Sequence, residues 1–138
     1  MKIDSITNGY VLDHIKAGMG MKIYNKLSLS DFDGQIALIQ NAKSEKMGKK
    51  DVLKIATDKF DIDLDVVAYL SPETTVNIIK EGKAAEKLQL TLPEKIVNVV
   101  HCPNPRCISN HEEVDDVFLL VDKDTATYRC LYCETAAK

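Results

Sequence analysis

The chain has 138 residues, of which 45% are apolar and 28% charged, and its net charge is −3. That length holds one domain or two small ones, and the composition is that of an ordinary water-soluble globular protein. Mild acidity argues against a nucleic-acid partner, which needs a basic face. The opening Met1-Lys2-Ile3-Asp4-Ser5 lacks the apolar run of a signal peptide, and no stretch is long enough to span a membrane. The expectation is a cytoplasmic chain with no membrane partner.

In chain order, Tyr10, Val11 and Leu12 follow an Asn8-Gly9 turn signal, so residues 10–13 read as a strand. Ile15, Met19, Ile23 and Leu27 recur every four residues, one face of a helix, although Gly18 and Gly20 weaken its first half. Residues 35–40 form a short apolar run that suits a buried strand, and 44–48 a polar turn. Over residues 49–56, Asp51, Leu53 and Ile55 fall on one side of an extended chain. Lys50, Val52, Lys54 and Ala56 fall on the other. A helix over this run would scatter the lysines less neatly, but stays open.

Residues 61–70 are ambiguous: the first six alternate as in a strand, while Ile62, Val66 and Leu70 stand at helical spacing. Ser71-Pro72 ends the element either way. Residues 74–79 are β-branched and strand-like, Glu81-Gly82 is a turn, and Leu88, Leu90 and Leu92 alternate along an edge strand over 84–92. With 61–70 helical, the order is strand, helix, strand, strand, helix, strand. That is the α+β, ferredoxin-like pattern: an antiparallel sheet with two helices on one face.

Pro93 marks a boundary, giving expected domains over 1–92 and 93–138. Ile96 opens the second, and residues 118–121 and 127–129 are its further strand candidates. A domain this small lies near the limit at which a core needs a staple. Its four cysteines, Cys102, Cys107, Cys130 and Cys133, come in two close pairs separated by twenty-two residues. Two such turns present four thiolates to one ion. Four sulfur ligands leave no position for substrate, so the expected cofactor is structural Zn²⁺, one per chain. Iron and disulfides are the alternatives.

No P-loop, Gly-x-Gly-x-x-Gly or nucleophile–base set is visible, and no catalytic residue is expected. Asp13-His14 would be half of a dyad, but neighbours on a strand point to opposite faces. His101 adjoins a ligand and His111 lies between the pairs, where supporting or solvent roles are the default. Lys50 and Lys54 on one strand face could grip a phosphate chain, or simply face water. Asn77 carries the same two readings.

Several stretches together resemble a known family. Val11-Leu-Asp-His-Ile15, Met47-Gly-Lys-Lys-Asp51 with Lys54-Ile55, and Pro72 through Thr75-Val-Asn77 are similar to the regulatory chain of aspartate carbamoyltransferase. So are Leu92-Pro-Glu94, Cys102-Pro-Asn104 and Cys107-Ile-Ser109, and the likeness runs from about Ile3 to Cys133. The resemblance implies a non-catalytic partner of the enzyme that makes carbamoyl-aspartate at the start of pyrimidine synthesis. It implies homodimers of regulatory chains bridging catalytic trimers, with an N-terminal domain that binds CTP, sometimes with UTP, or ATP. It places nucleotide contacts at Val11, Asp13, His14, Lys50, Lys54, Asn77 and Lys87, with the backbone of residues 3–6 lining the base. Asn104 and Glu134 match positions that touch the catalytic chain. Gly82, Ala84 and Ala56 depart from the family's bulkier or acidic residues and thin the pocket wall, leaving effector preference open. The reading from another class is a zinc-ribbon nucleic-acid binder. Against it, Glu112, Glu113, Asp115, Asp116, Asp122 and Asp124 outnumber the basic residues around the cysteines.

Overall fold

A computed structural model describes residues 7–59 and 61–137. The chain divides into two units, residues 1–91 and 92–138. The first is built from β1 (Gly9–Lys16), α1 (Gly20–Lys26), β2 (Ile36–Ser44), β3 (Gly48–Ala56), α2 (Leu64–Leu70), β4 (Thr75–Lys80) and β5 (Lys83–Gln89). They form one sheet in the order β2-β3-β1-β4-β5, every neighbouring pair antiparallel. This is the ferredoxin-like arrangement with β5 added at one edge.

Alternation decides the two faces. Tyr10, Leu12 and Ile15 of β1, Leu53 and Ile55 of β3 and Val76 of β4 are buried together with Ile23 of α1 and Val67 of α2. Both helices therefore cover one face, and Met19, Leu27, Ile62 and Leu70 complete the packing. Residues 61–70 resolve as helix from Leu64. Asp63 caps it, accepting the Asp65 N–H at 3.1 Å, a contact worth about 1 kcal/mol at such positions.

Three sequence expectations need correction. Ile15 belongs to β1, not to the helix, which begins only at Gly20. The turn between them holds Gly18 at φ 95°, a left-handed conformation that no continuous helix over 15–27 allows. The edge strand ends at Gln89, where its ladder partner Thr75 begins β4, so Leu90 and Leu92 lie outside it. The strand expected from Ile96 stops at Val97, because Asn98 turns left-handed at φ 58° and pairs its side chain with Asp115 and Asp116.

The second unit contains β6 (Lys95–Val97), β7 (Val117–Asp122) and β8 (Thr127–Cys130), an antiparallel sheet in that order. Ile96, Phe118 and Cys130 are register partners on its buried face. Val99 and Tyr128 complete a small core, and the Tyr128 hydroxyl donates to the Pro93 carbonyl at 2.6 Å. Among the described residues no helix is long and apolar enough to cross a membrane.

The entry to β1 depends on a missing side chain. Gly9 has φ 144°, and a Cβ there would collide with the Ile55 carbonyl oxygen in the adjacent strand. Gly9→Ala should therefore cost about 2 kcal/mol or more in urea denaturation. An unchanged midpoint would show that the strand can move aside.

Candidate functional site

The four cysteine sulfurs lie within 4.8 Å of one another. Two pairs, Cys102–Cys133 and Cys107–Cys130, stand at 3.6 Å. A tetrahedron of sulfurs each about 2.3 Å from a zinc ion has edges of about 3.8 Å, so the cluster fits one structural zinc. Each pair joins a ligand of the first turn to one of the second, which closes the site across the sheet end. Separations of 3.6 Å are too long for S–S bonds, so the disulfide alternative falls.

Local hydrogen bonds shape both turns. In the first, the Cys107 N–H donates to the Asn104 carbonyl at 3.0 Å, the Asn104 side chain accepts the Arg106 N–H, and Asn110 donates to the Asn104 carbonyl at 2.6 Å. The Ser109 hydroxyl reaches the Cys107 sulfur at 3.1 Å. In the second, Glu134 turns left-handed at φ 65° and its N–H donates to the Cys130 carbonyl at 2.9 Å. Asn104 is half-buried and Glu134 exposed, one on each metal turn. His101 leans on Asp116 at 3.1 Å, and His111 contacts the Pro105 carbonyl at 2.8 Å. Both act on the loops and neither approaches a nucleophile.

Burial pushes the Cys102 thiol up to about 12 and raises Cys130, while the hydrogen bonds to Thr135 hold Cys133 down to about 6. Metal binding at such a set displaces protons, so affinity must rise with pH.

The other residues expected from the sequence converge on the uncovered face of the first sheet. Val11 of β1 is the register partner of Lys54 on β3 and of Asn77 on β4, and Asn77 is the partner of Lys87 on β5. Lys54, Val11, Asn77 and Lys87 thus make one row across four strands. Directly opposed residues share a face, so all four point away from the helices. The neighbouring row is Ala56, Gly9, Ile79 and Ala84, mostly small, giving a shallow floor. The residues 3–6 expected to line the base lie outside the described residues.

Asp13, His14 and Lys50 gather at the other end of this face. Between Leu12 and Ile15 the register with β3 slips by one, so Asp13 and His14 together oppose Val52. His14 has φ 58°, and its N–H donates to the Asp13 carboxylate at 2.7 Å. Its ring reaches the hydroxyl of Thr75, the β4 partner of Asp13, at 3.3 Å. The bulge corrects the expected alternation: Asp13 and His14 work on the same side. Lys50 closes on Asp13 at 2.8 Å.

Partial burial would raise the Asp13 carboxyl. The Lys50 hydrogen bond, the His14 N–H and the two nearby positive charges outweigh it and hold the group below its usual 3.8. A carboxyl so lowered contributes stability that is fully present above 3.8 and lost as pH falls through the lowered value. The pair is therefore intact near neutrality. Thr75 was not singled out by sequence as a partner of His14, since the contact depends on the bulge.

One all-β unit whose four cysteines fit a structural metal, and one unit whose sheet carries paired lysines on a face, define a metal-stabilised two-unit protein. The family of the aspartate carbamoyltransferase regulatory chain, allosteric domain, matches residues 1–91, and its metal binding domain matches residues 94–138. Named regulatory chains are similar over almost the whole length. That of Clostridium tetani is 46% identical, covering 100% of this chain and 96% of its own. That of Clostridium botulinum strain Hall is 44% identical over 97% and 92%, and that of Bifidobacterium longum 42% over 100% and 99%. The chain belongs to the aspartate carbamoyltransferase regulatory chain family, and is a regulatory rather than a catalytic subunit.

Two outcomes test the metal centre. Chelation should unfold residues 92–138 first, seen as loss of amide protection there while β1, β3 and β4 stay protected. Uniform loss throughout would contradict a local staple. Zinc affinity, measured by chelator competition, should fall about a hundredfold or more per pH unit from pH 8 to 6, because the Cys102 and Cys130 protons must both leave. A flat profile would mean that both thiols are already ionised.

Proposed function

We propose that this subunit senses nucleotides on the uncovered sheet face and docks on the catalytic chain through its two zinc turns. CTP and ATP, with UTP as a companion ligand, are the effectors. The observation that carries this reading is the convergence of Lys54, Val11, Asn77 and Lys87 in one row, with Asp13, His14 and Lys50 at one end. Lys50 and Lys54 are four residues apart on a strand, about 13 Å, a span suited to a nucleoside triphosphate. Lys50 and His14 suit the phosphates, Lys54 and Asn77 the base or ribose, and Val11 an apolar contact with the base. The shallow floor at Ala56, Gly9 and Ala84 favours weak discrimination between purine and pyrimidine.

Asn104 and Glu134, one on each metal turn, supply the contact with the catalytic chain, and the ion holds both turns in a single geometry. Regulatory chains pair as homodimers that bridge catalytic trimers in the cytoplasm, and the assembly serves pyrimidine synthesis. An effector then acts only through its differential affinity for the two activity states of the assembly.

Reconstitution tests the proposal. The zinc-loaded chain and its cognate catalytic trimers should form a larger particle whose carbamoyl-aspartate formation responds to CTP and ATP. Lys50→Ala should weaken CTP binding about tenfold or more and leave assembly intact, whereas Cys107→Ala should abolish assembly. A particle indifferent to nucleotides would overturn the effector site, and absence of any particle the docking role.

A further inference from the structure

Asp51 lies on β3 beside Lys50, but its side chain points to the helix-covered face and is fully buried. An unpaired carboxylate buried this deeply is costly, and no cationic side chain pairs with it among the described residues. Three backbone N–H groups satisfy it instead. Oδ2 accepts from Gly18 at 3.1 Å and Gly20 at 2.9 Å, and Oδ1 accepts from Asn41 at 3.0 Å. Gly20 must lack a side chain, since its Cβ would come within 2.8 Å of Oδ2.

The three donors belong to segments that flank the effector face. Asn41 stands at φ 60° in a bulge of β2, where the register passes from Ile39↔Val52 to Ala42↔Lys50. Gly18 and Gly20 follow the end of β1, just beyond the Asp13–His14 bulge, where the register passes from Leu12↔Leu53 to Ile15↔Asp51. The β2 slip falls opposite Asp51, and the β1 slip, opposite Val52, ends at it. Lys50 is the first β3 residue beyond both, paired with Ala42 and Lys16.

We propose that Asp51 is a positioning residue of the effector site: by tying the β2 bulge to the turn after β1 it fixes where its neighbour Lys50 stands, and so sets phosphate affinity. This rests on the nucleotide reading given above. Asp51 touches no ligand and acts through Lys50. The same carboxylate ties the start of α1 to the β2 edge on the covered side of the sheet.

The test is a double-mutant cycle on the zinc-loaded full chain, with CTP affinity measured by calorimetry. In Asp51→Asn an amide N–H replaces one acceptor, and an N–H of the clamp is left facing a donor. The substitution should weaken CTP binding about tenfold with Lys50 present, and less than about twofold in the Lys50→Ala background. Equal losses in both backgrounds would mean a general structural effect and overturn the role. Should Asp51→Asn not fold, Asp51→Glu keeps the carboxyl but displaces it from the three N–H groups, and the same background dependence is expected. Wild-type chain that binds neither CTP nor ATP would remove the nucleotide reading itself. Normal wild-type binding with additive losses would remove the role of Asp51 alone.

Discussion

Residues 92–138 can bury only a few large side chains, chiefly Ile96, Val99, Phe118 and Tyr128. A core of that size does not balance the conformational entropy of so many ordered residues. The four-sulfur cluster supplies the missing constraint. It brings the turn after β6 and the end of β8 to one point, and the same turns carry Asn104 and Glu134. Folding of this unit, and any contact made by those turns, therefore depends on the ion. The spread of thiol acidities reinforces this: burial keeps Cys102 protonated until a cation replaces its proton.

The first unit obeys a different constraint. One face of its sheet is sealed by two helices, and the other carries no helix among the described residues. A sheet is stiff across its strands, so a row such as Lys54–Val11–Asn77–Lys87 is preorganised before anything binds. The bulges re-aim side chains at one end of that face, which is where an ordinary period-two strand could not place Asp13 and His14 together. Allosteric coupling then needs an element that both ligand and partner bias. The Asp51 clamp joins the turn before α1 to the β2 bulge and stands next to Lys50 in the chain, which makes it the candidate for that element.

Much of this was legible in the sequence, for identifiable reasons. Paired cysteines are local signals, and their spacing alone points to a four-thiolate site. Lys50 and Lys54 share a face because strand alternation is strict between them. The ferredoxin-like order follows once residues 64–70 are helical, which the spacing of Ile62, Val66 and Leu70 permitted. What stayed hidden depends on register. The slip at Asp13–His14 shows only when β1 is laid beside β3, and the start of α1 is set by a left-handed glycine that periodicity cannot see. Asp51 did leave a trace: an acidic residue in line with Leu53 and Ile55 signals a buried carboxylate. Its three partners are backbone groups, which no residue pattern names.

A metal-held docking unit and an effector face that holds itself together divide the labour. Titrating a zinc chelator into the assembled complex, while following catalytic-chain attachment and CTP binding in the same samples, separates the two. Attachment should be lost as zinc leaves, while the released regulatory chain still binds CTP with its original affinity. Loss of both at the same chelator concentration would rule out the division and make the zinc unit part of the effector site.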